Sequence, residues 1–211
     1  MKIGIIGATG HVGQAITKEA ISRGNEVTAI VRNAEKAKGI FGDKAAIIAK
    51  DAMDLTREDF SGFDVLVNAF ASAKAYEHVD FAARLISYFR GDKTTRLIFV
   101  IGASILQNPD GSTLLAQTMK QIANEPWIAG MVQQDREYDF LQLVDDVDWT
   151  VITPSTDFTD GPKTGYKVGG IKIIQSAVGK EEVSVANFAD AVLDESEQPK
   201  HIRSEFSVVD A

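Results

Sequence analysis

The chain has 211 residues, 45% hydrophobic and 25% charged, enough for one domain with a real core and unlike the composition of a disordered chain. Its 30 acidic residues outweigh 22 Lys and Arg, for a formal net charge of -8, and no block of cations interrupts that excess, so a nucleic-acid partner is not expected. The chain has no cysteine, which excludes disulfides, thiolate catalysis and zinc-thiolate sites together.

The first apolar run, "IGII", is short and ends in glycine, unlike a signal peptide or a membrane span. We expect a cytoplasmic protein that acts on a small molecule, with neither a membrane nor a nucleic acid as partner. The sequence leaves oligomeric state open.

Hydrophobic periods of two and 3.6 alternate along the chain, which predicts strand-helix-strand units. "KIGIIG" reads as the first strand. Val12, Ala15, Ile16 and Ala20 then share one helical face, and Gly24 supplies a stop after Arg23. "EVTAIVR" is the second strand, a helix surrounds "NAEKAKGI", and "AAIIAK" is the third strand, followed by the loop "DAMD". Thr56 and Asp59 stand at the spacing of a capping box.

"DVLVNAFA" is the fourth strand. Val79, Ala82, Ala83, Ile86 and Phe89 repeat at helical spacing up to Gly91, and "RLIFVIGAS" is the fifth strand. Near-continuous apolar strands suit a parallel sheet covered on both faces. The expected fold class is therefore α/β, a Rossmann-type doubly wound parallel sheet flanked by helices on both faces, with a small C-terminal substrate-side region.

Beyond the turn "NPDG", a helix is expected around "STLLAQTMKQIA", and a second carries Met131, Tyr138 and Leu141 on one face. Asp145, Asp146 and Asp148 read as a solvated loop, and no metal site is assigned. "WTVITPS" is the sixth strand, and the Gly-rich "DFTDGPKTGYKVGG" after it is expected to lie as a loop over the ligand. "EEVSVANFADAVLDESE" predicts a short strand and a helix, and "RSEFSVVD" a last strand. Residues 1–211 are read as a single domain, with residues from about 154 to 211 supplying the substrate side.

The stretch "GATGHVG" carries the strongest functional signal. Gly7 permits a sharp exit from the first strand, Gly10 lets backbone approach a phosphate, and Gly13 lets the helix pack close to the sheet. Thr9, His11 and Val12 complete a loop whose N-H groups face a pyrophosphate at the helix N-terminus. The spacing is G-x-x-G-x-x-G, and its place between a first strand and an amphipathic helix is what a dinucleotide site requires.

An NAD site would show an acid at the end of the second strand, where this chain has Arg32, with Lys36 one turn on. A guanidinium there suits a 2'-phosphate, so NADP is favoured, with NAD the alternative and an Arg32 that simply points to solvent the competing reading. Asp51 and Ala52 are expected beside the adenine. Asn68, Ala69 and Phe70 are expected along the cofactor ribose, with a plain strand-end cap the competing reading for Asn68.

Together, "GATGHVG", "VRN", "DAMD", "VNAFA" and "WTVITPS" resemble the atypical short-chain dehydrogenase/reductase group. Within it, the chain is similar to short NADH-flavin reductase-like proteins, relatives of the nitrogen-metabolite-repression-type NAD(P)-binding proteins. The resemblance implies NAD(P)H bound across the strand ends and reduction of flavins, quinones or small carbonyls. It also implies a Ser after the fifth strand, matched by Ser104, and a Tyr-x-x-x-Lys on the following helix. Tyr138 can match that Tyr, but Gln142 stands where the Lys belongs.

A tyrosine without its cationic neighbour is a poor proton donor near neutrality, and a core role for Tyr138 competes with the catalytic one. A flavin acceptor needs less help, because it delocalises the charge it receives and the protein has mainly to align two rings. Ser104 is then placed to donate a hydrogen bond near the nicotinamide. Pro154 and Ser155 flank it, and Phe158 and Tyr166 offer an aromatic wall, with a role as packing anchors the competing reading. An NADPH-dependent flavin reductase is the leading expectation. A non-catalytic NAD(P)-binding redox sensor is the alternative, and a sugar-nucleotide epimerase ranks last.

Overall fold

A computed structural model describes residues 1–122 and 125–211. In chain order the elements are β1 (Lys2–Ile6), α1 (His11–Ser22), β2 (Glu26–Val31), α2 (Ala34–Phe41), β3 (Ala46–Ala49), β4 (Val65–Asn68), α3 (Glu77–Phe89) and β5 (Arg96–Val100). They continue with α4 (Leu114–Ile122), α5 (Ile128–Leu141), β6 (Trp149–Pro154), β7 (Asp157–Thr159), β8 (Tyr166–Gly169), β9 (Glu182–Ser184), α6 (Val185–Glu197) and β10 (Ser204–Asp210). Ala123, the last residue of the "STLLAQTMKQIA" helix expected from sequence, lies outside the described residues.

Eight strands form one sheet in the order β3-β2-β1-β4-β5-β6-β10-β8, parallel throughout except for the antiparallel β10-β8 pair. The order reverses between β1 and β4, the switch point outside whose carboxyl ends doubly wound sheets bind ligands. Alternation along each strand divides the core. Ile3 and Ile5 face α1, α2 and α6 with Ile16, Phe41 and Phe188, while Ile6 faces α3 and α5 with Phe81, Leu85 and Leu141. The doubly wound reading of the sequence holds.

Local chemistry sets the element ends. Gly24, at φ 78°, stops α1, and the Asn33 side chain accepts from the Lys36 N-H to start α2. Asp59 accepts from both the N-H and the hydroxyl of Thr56, the pairing the sequence predicts.

Three readings need correction. "DAMD" closes into a single-turn 3-10 helix, Ala52–Asp54, rather than an open loop. The stretch expected as a loop over the ligand contains β7, which pairs with β9, and β8, which extends the main sheet through β10. The buried face of α3 is only partly the expected one: Ala82, Ile86 and Phe89 are buried as expected, but His78, Phe81 and Leu85 complete it in place of the half-buried Val79 and Ala83.

Candidate functional site

The glycine loop carries β1 into α1. Gly7 adopts φ 78°, and its carbonyl accepts from the Gly10 N-H at 2.9 Å. A Cβ at Gly7 would meet the Ala69 carbonyl oxygen at 2.5 Å, and one at Gly13 would meet the Gly7 carbonyl oxygen at 2.3 Å. Both glycines are therefore demanded by the fold itself. At Gly10 the nearest atom would be 3.2 Å away, so the fold needs glycine much less there. Gly10 is also the N-cap of α1 and has no side chain to accept from the first turn, which leaves those N-H groups to an external anion.

A cavity of about 190 Å³ opens beside this loop at the carboxyl ends of β1, β2 and β4. Of the residues that the sequence reading assigns to the cofactor, Gly7, Thr9, Gly10, Arg32, Ala52, Ala69 and Phe70 line it, together with Lys36. Lys50 also lines it and was missed, although it directly follows β3 as Arg32 follows β2. Asp59 grips the Lys50 ammonium with both carboxylate oxygens, at 2.6 and 2.8 Å. Arg32 and Lys36 are exposed and form no ion pair among the described residues.

Other expected contacts are used elsewhere. The Asp51 carboxylate accepts from the Met53 N-H at 2.9 Å and caps the 3-10 turn. The Asn68 side chain, 6% exposed, accepts from the Phe70 N-H at 3.3 Å, the strand-end cap that competed with a cofactor contact. Val12, half-buried, packs against the core cluster under α1. His11 lies 3.2 Å from the Asp160 carboxylate and edge-on to Phe158, linking the glycine loop to the segment after β6.

Ser104 stands in a 3-10 turn, Ala103–Ile105, after β5. The residue is 2% exposed, and its hydroxyl has no hydrogen-bond partner among the described residues. A buried, unpartnered hydroxyl at the end of a central strand calls for an explanation, and a ligand group supplies one. Pro154 and Ser155 are buried at the end of β6.

Tyr138 does not join these residues. It packs among the apolar side chains between α5 and the sheet, where burial and then Glu205 raise its phenol pKa, opposite to what proton donation needs. Tyr166 also departs from expectation: its hydroxyl donates to the Asp194 carboxylate on α6. Phe158 packs at 5.3 Å against Phe188 as a core anchor.

Sequence reasoning also missed a polar cluster between α3 and α5. The Glu137 side chain is 3% exposed and lies 3.9 Å from Nδ1 of the buried His78. Burial pushes the Glu137 carboxyl up to about 8 and lowers the His78 imidazole. One turn before Glu137, Gln134 accepts from the Gly102 N-H at 3.2 Å. Only the three-dimensional crossing of α3 and α5 buries these groups, and "QQDREYD" gives no such signal by itself.

A family sequence model described as NAD(P)H-binding matches residues 7–199, from the first glycine of the loop to the end of α6. The chain belongs to this NAD(P)H-binding family. The uncharacterized protein YwnB of Bacillus subtilis is 41% identical over 213 residues, covering 99% of this chain and 98% of its own. A Lactobacillus casei protein of solved structure is 36% identical with a TM-score of 0.93, covering 100% of both chains. A "putative NADH-flavin reductase" from Streptococcus pneumoniae is 31% identical with a TM-score of 0.88, again over 100% of both chains. For an NAD(P)H-binding protein, Gly10 with no side chain over the loop, the α1 N-terminus and the cavity beside them form a fitting cradle for a nicotinamide dinucleotide.

Proposed function

We propose that this protein is a reductase that prefers NADPH to NADH and passes hydride to a flavin or a similar planar acceptor. The observation that carries the reading is the pair Arg32 and Lys36, two cations without ion-pair partners among the described residues, on the cavity where an NAD site would place an acid. Lys50, held by Asp59, adds a third positive group to the same wall. A 2'-phosphate carries the charge these groups answer.

The cavity is smaller than the roughly 300–1,000 Å³ of a complete ligand site, as suits the adenosine half of a dinucleotide. Ser104, Pro154 and Ser155, at the ends of β5 and β6, would hold the other half. In this reading the chain is one domain, and residues from about 154 to 211 supply the acceptor side.

Bound NADPH supplies the hydride. The protein's part is to hold the pyrophosphate on the α1 N-terminus, seat the 2'-phosphate on Arg32 and Lys36, and offer the Ser104 hydroxyl near the reacting ring. With Gln142 in the place of a lysine and Tyr138 packed half-buried against the core, an acceptor that stabilises its own reduced form is favoured. The same absence of a Tyr-Lys pair supports a second reading, an NAD(P)-binding sensor without turnover. Parallel titrations with NADPH and NADH, followed by mixing with FMN, separate the two. The reductase binds NADPH more tightly and reduces FMN, whereas the sensor binds without reducing any flavin or quinone.

A further inference from the structure

We propose that His11 and Asp160 make dinucleotide binding depend on a proton, which is taken up from solvent with the cofactor and charges His11 beside the pyrophosphate. The inference rests on the cradle at the α1 N-terminus and is independent of hydride transfer. Gly10 donates its N-H to the Gly7 carbonyl, and the first bond inside α1 runs from the Gln14 N-H to the Gly10 carbonyl at 2.8 Å. The N-H groups of His11, Val12 and Gly13 meet no acceptor among the described residues and are the donors left for an anion. One of these three donors belongs to His11 itself.

The fold sets a carboxylate against this residue. Asp160 directly follows β7, and its Oδ1 lies 3.2 Å from Nε2 of His11, its one ion-pair partner among the described residues. Phe158 holds the same ring edge-on, with centroids 6.4 Å apart, and is itself anchored on Phe188 of α6. A lone carboxylate at this place repels a pyrophosphate. A charged imidazole offsets that repulsion and adds an attraction of its own, and imidazole is the side chain that gains and loses charge near physiological pH. The linkage is reciprocal: the pyrophosphate favours the charged ring, and the charged ring favours the pyrophosphate.

Other charges on the neighbouring elements are engaged or exposed. On α1, Lys18 is exposed, and Glu19 is held by Arg23 at 2.9 Å and by Lys163 at 2.8 Å. Lys163, three residues after Asp160, also pairs with Asp190 of α6 at 2.5 Å. Asp157 opens β7 in an exposed position, and Glu182 of β9 pairs with Lys180 at 3.0 Å. Arg32, Lys36 and Lys50 line the adenosine cavity, whose described wall holds neither Asp nor Glu. Both His11 and Asp160 are exposed, so protons reach the pair freely and salt weakens its effect.

The test is calorimetric titration with NAD+ at low ionic strength, from about pH 6 to 8.5, in buffers of different ionisation heat, for the wild type, His11→Asn and Asp160→Asn. NAD+ is the probe because it lacks the 2'-phosphate, which would itself titrate in this range. An unchanged thermal midpoint verifies the fold of each variant. The wild type is expected to take up a fraction of a proton per NAD+ near neutrality, read as a buffer-dependent heat, and to bind about three- to tenfold more weakly at the alkaline end. His11→Asn should bind as weakly as that at every pH, without proton uptake. Asp160→Asn should bind about two- to threefold more tightly than the wild type at the alkaline end and lose that advantage at the acid end, where the charged ring already offsets the carboxylate. Buffer-independent heats with a flat wild-type profile, or a His11→Asn profile that matches the wild type, overturn the proton linkage alone. An Asp160→Asn profile that matches the wild type overturns the part given to the carboxylate. A wild type that binds neither NAD+ nor NADP+ at any pH overturns the cradle reading, and the linkage with it.

Discussion

Gly13 lies against the carbonyl of Gly7 so closely that a methyl group on it would stand 2.3 Å from that oxygen. The contact fixes the height of α1 over the end of β1 and so aims the helix N-terminus. Gly13→Ala should destabilise the protein by about 1–3 kcal/mol and also weaken NADPH binding, because the loop must shift to admit the methyl. Gly10→Ala should separate the two effects, with stability within about 1 kcal/mol of wild type but NADPH affinity at least about tenfold lower. Thermal unfolding and calorimetric titration of both variants check this.

Cofactor choice is expected to reside in Arg32. Arg32→Ala should weaken NADPH about 10- to 100-fold and NADH by less than about threefold, the effect of losing charge-assisted bonds to one phosphate. Lys36→Ala should show the same selectivity to a smaller extent. Competitive binding of the two nucleotides measures both, and equal losses would remove the 2'-phosphate assignment.

Arg23 fastens α1 to α6. Its guanidinium bonds Glu19 at 2.9 Å, Asp194 at 2.8 Å, Glu197 at 2.9 Å and the Asp190 carboxylate, with its side chain 18% exposed. Arg23→Ala leaves those carboxylates facing one another and should cost about 2–4 kcal/mol in urea unfolding, while Arg23→Lys recovers only part because an ammonium lacks the fork. Burial alone would raise the Glu19 carboxyl, but Lys163 and Arg23 outweigh it and hold its pKa below 4.5. That stabilisation is present above pH 4.5 and is lost as the pH falls through the lowered value. Acid unfolding of Arg23→Ala should accordingly be less steep.

Glu137 should impose the opposite dependence. Its carboxyl titrates near 4.5 in the unfolded chain and at about 8 in the folded one, so the native state binds more protons between these values. Stability contributed by this group is intact below pH 4.5, declines as pH rises and is lost by about pH 8. Glu137→Gln should remove that slope and be more stable than the wild type at pH 9 by roughly 2–5 kcal/mol. Denaturant midpoints at pH 6 and pH 9 provide the comparison.

The parts of the fold legible in the sequence are those where local pattern and tertiary role agree. Strands β1, β2, β4, β5 and β6 are near-continuous apolar runs, and the glycine loop announces itself by the side chains it lacks. Strand β8 was hidden because "YKVG" lies in a polar, Gly-rich stretch and becomes a strand only by pairing with β10. Lys50 was readable by analogy with Arg32. Glu137 and His78 were not, since their burial depends on two helices that meet across the sheet face, a relationship no single window contains. Tyr138 sits at the right spacing for a catalytic role, but α5 lays it half-buried against the core, next to Glu205.

The measurement that tests the central claim most directly is an anaerobic single-turnover mix of excess protein with NADPH and FMN, following both absorbances against a protein-free control. The account predicts equimolar loss of the nicotinamide and flavin signals, at least about tenfold faster than the control and slower when NADH replaces NADPH. Tight NADPH binding without acceleration of flavin or quinone reduction would contradict it and leave an NAD(P)-binding sensor in its place.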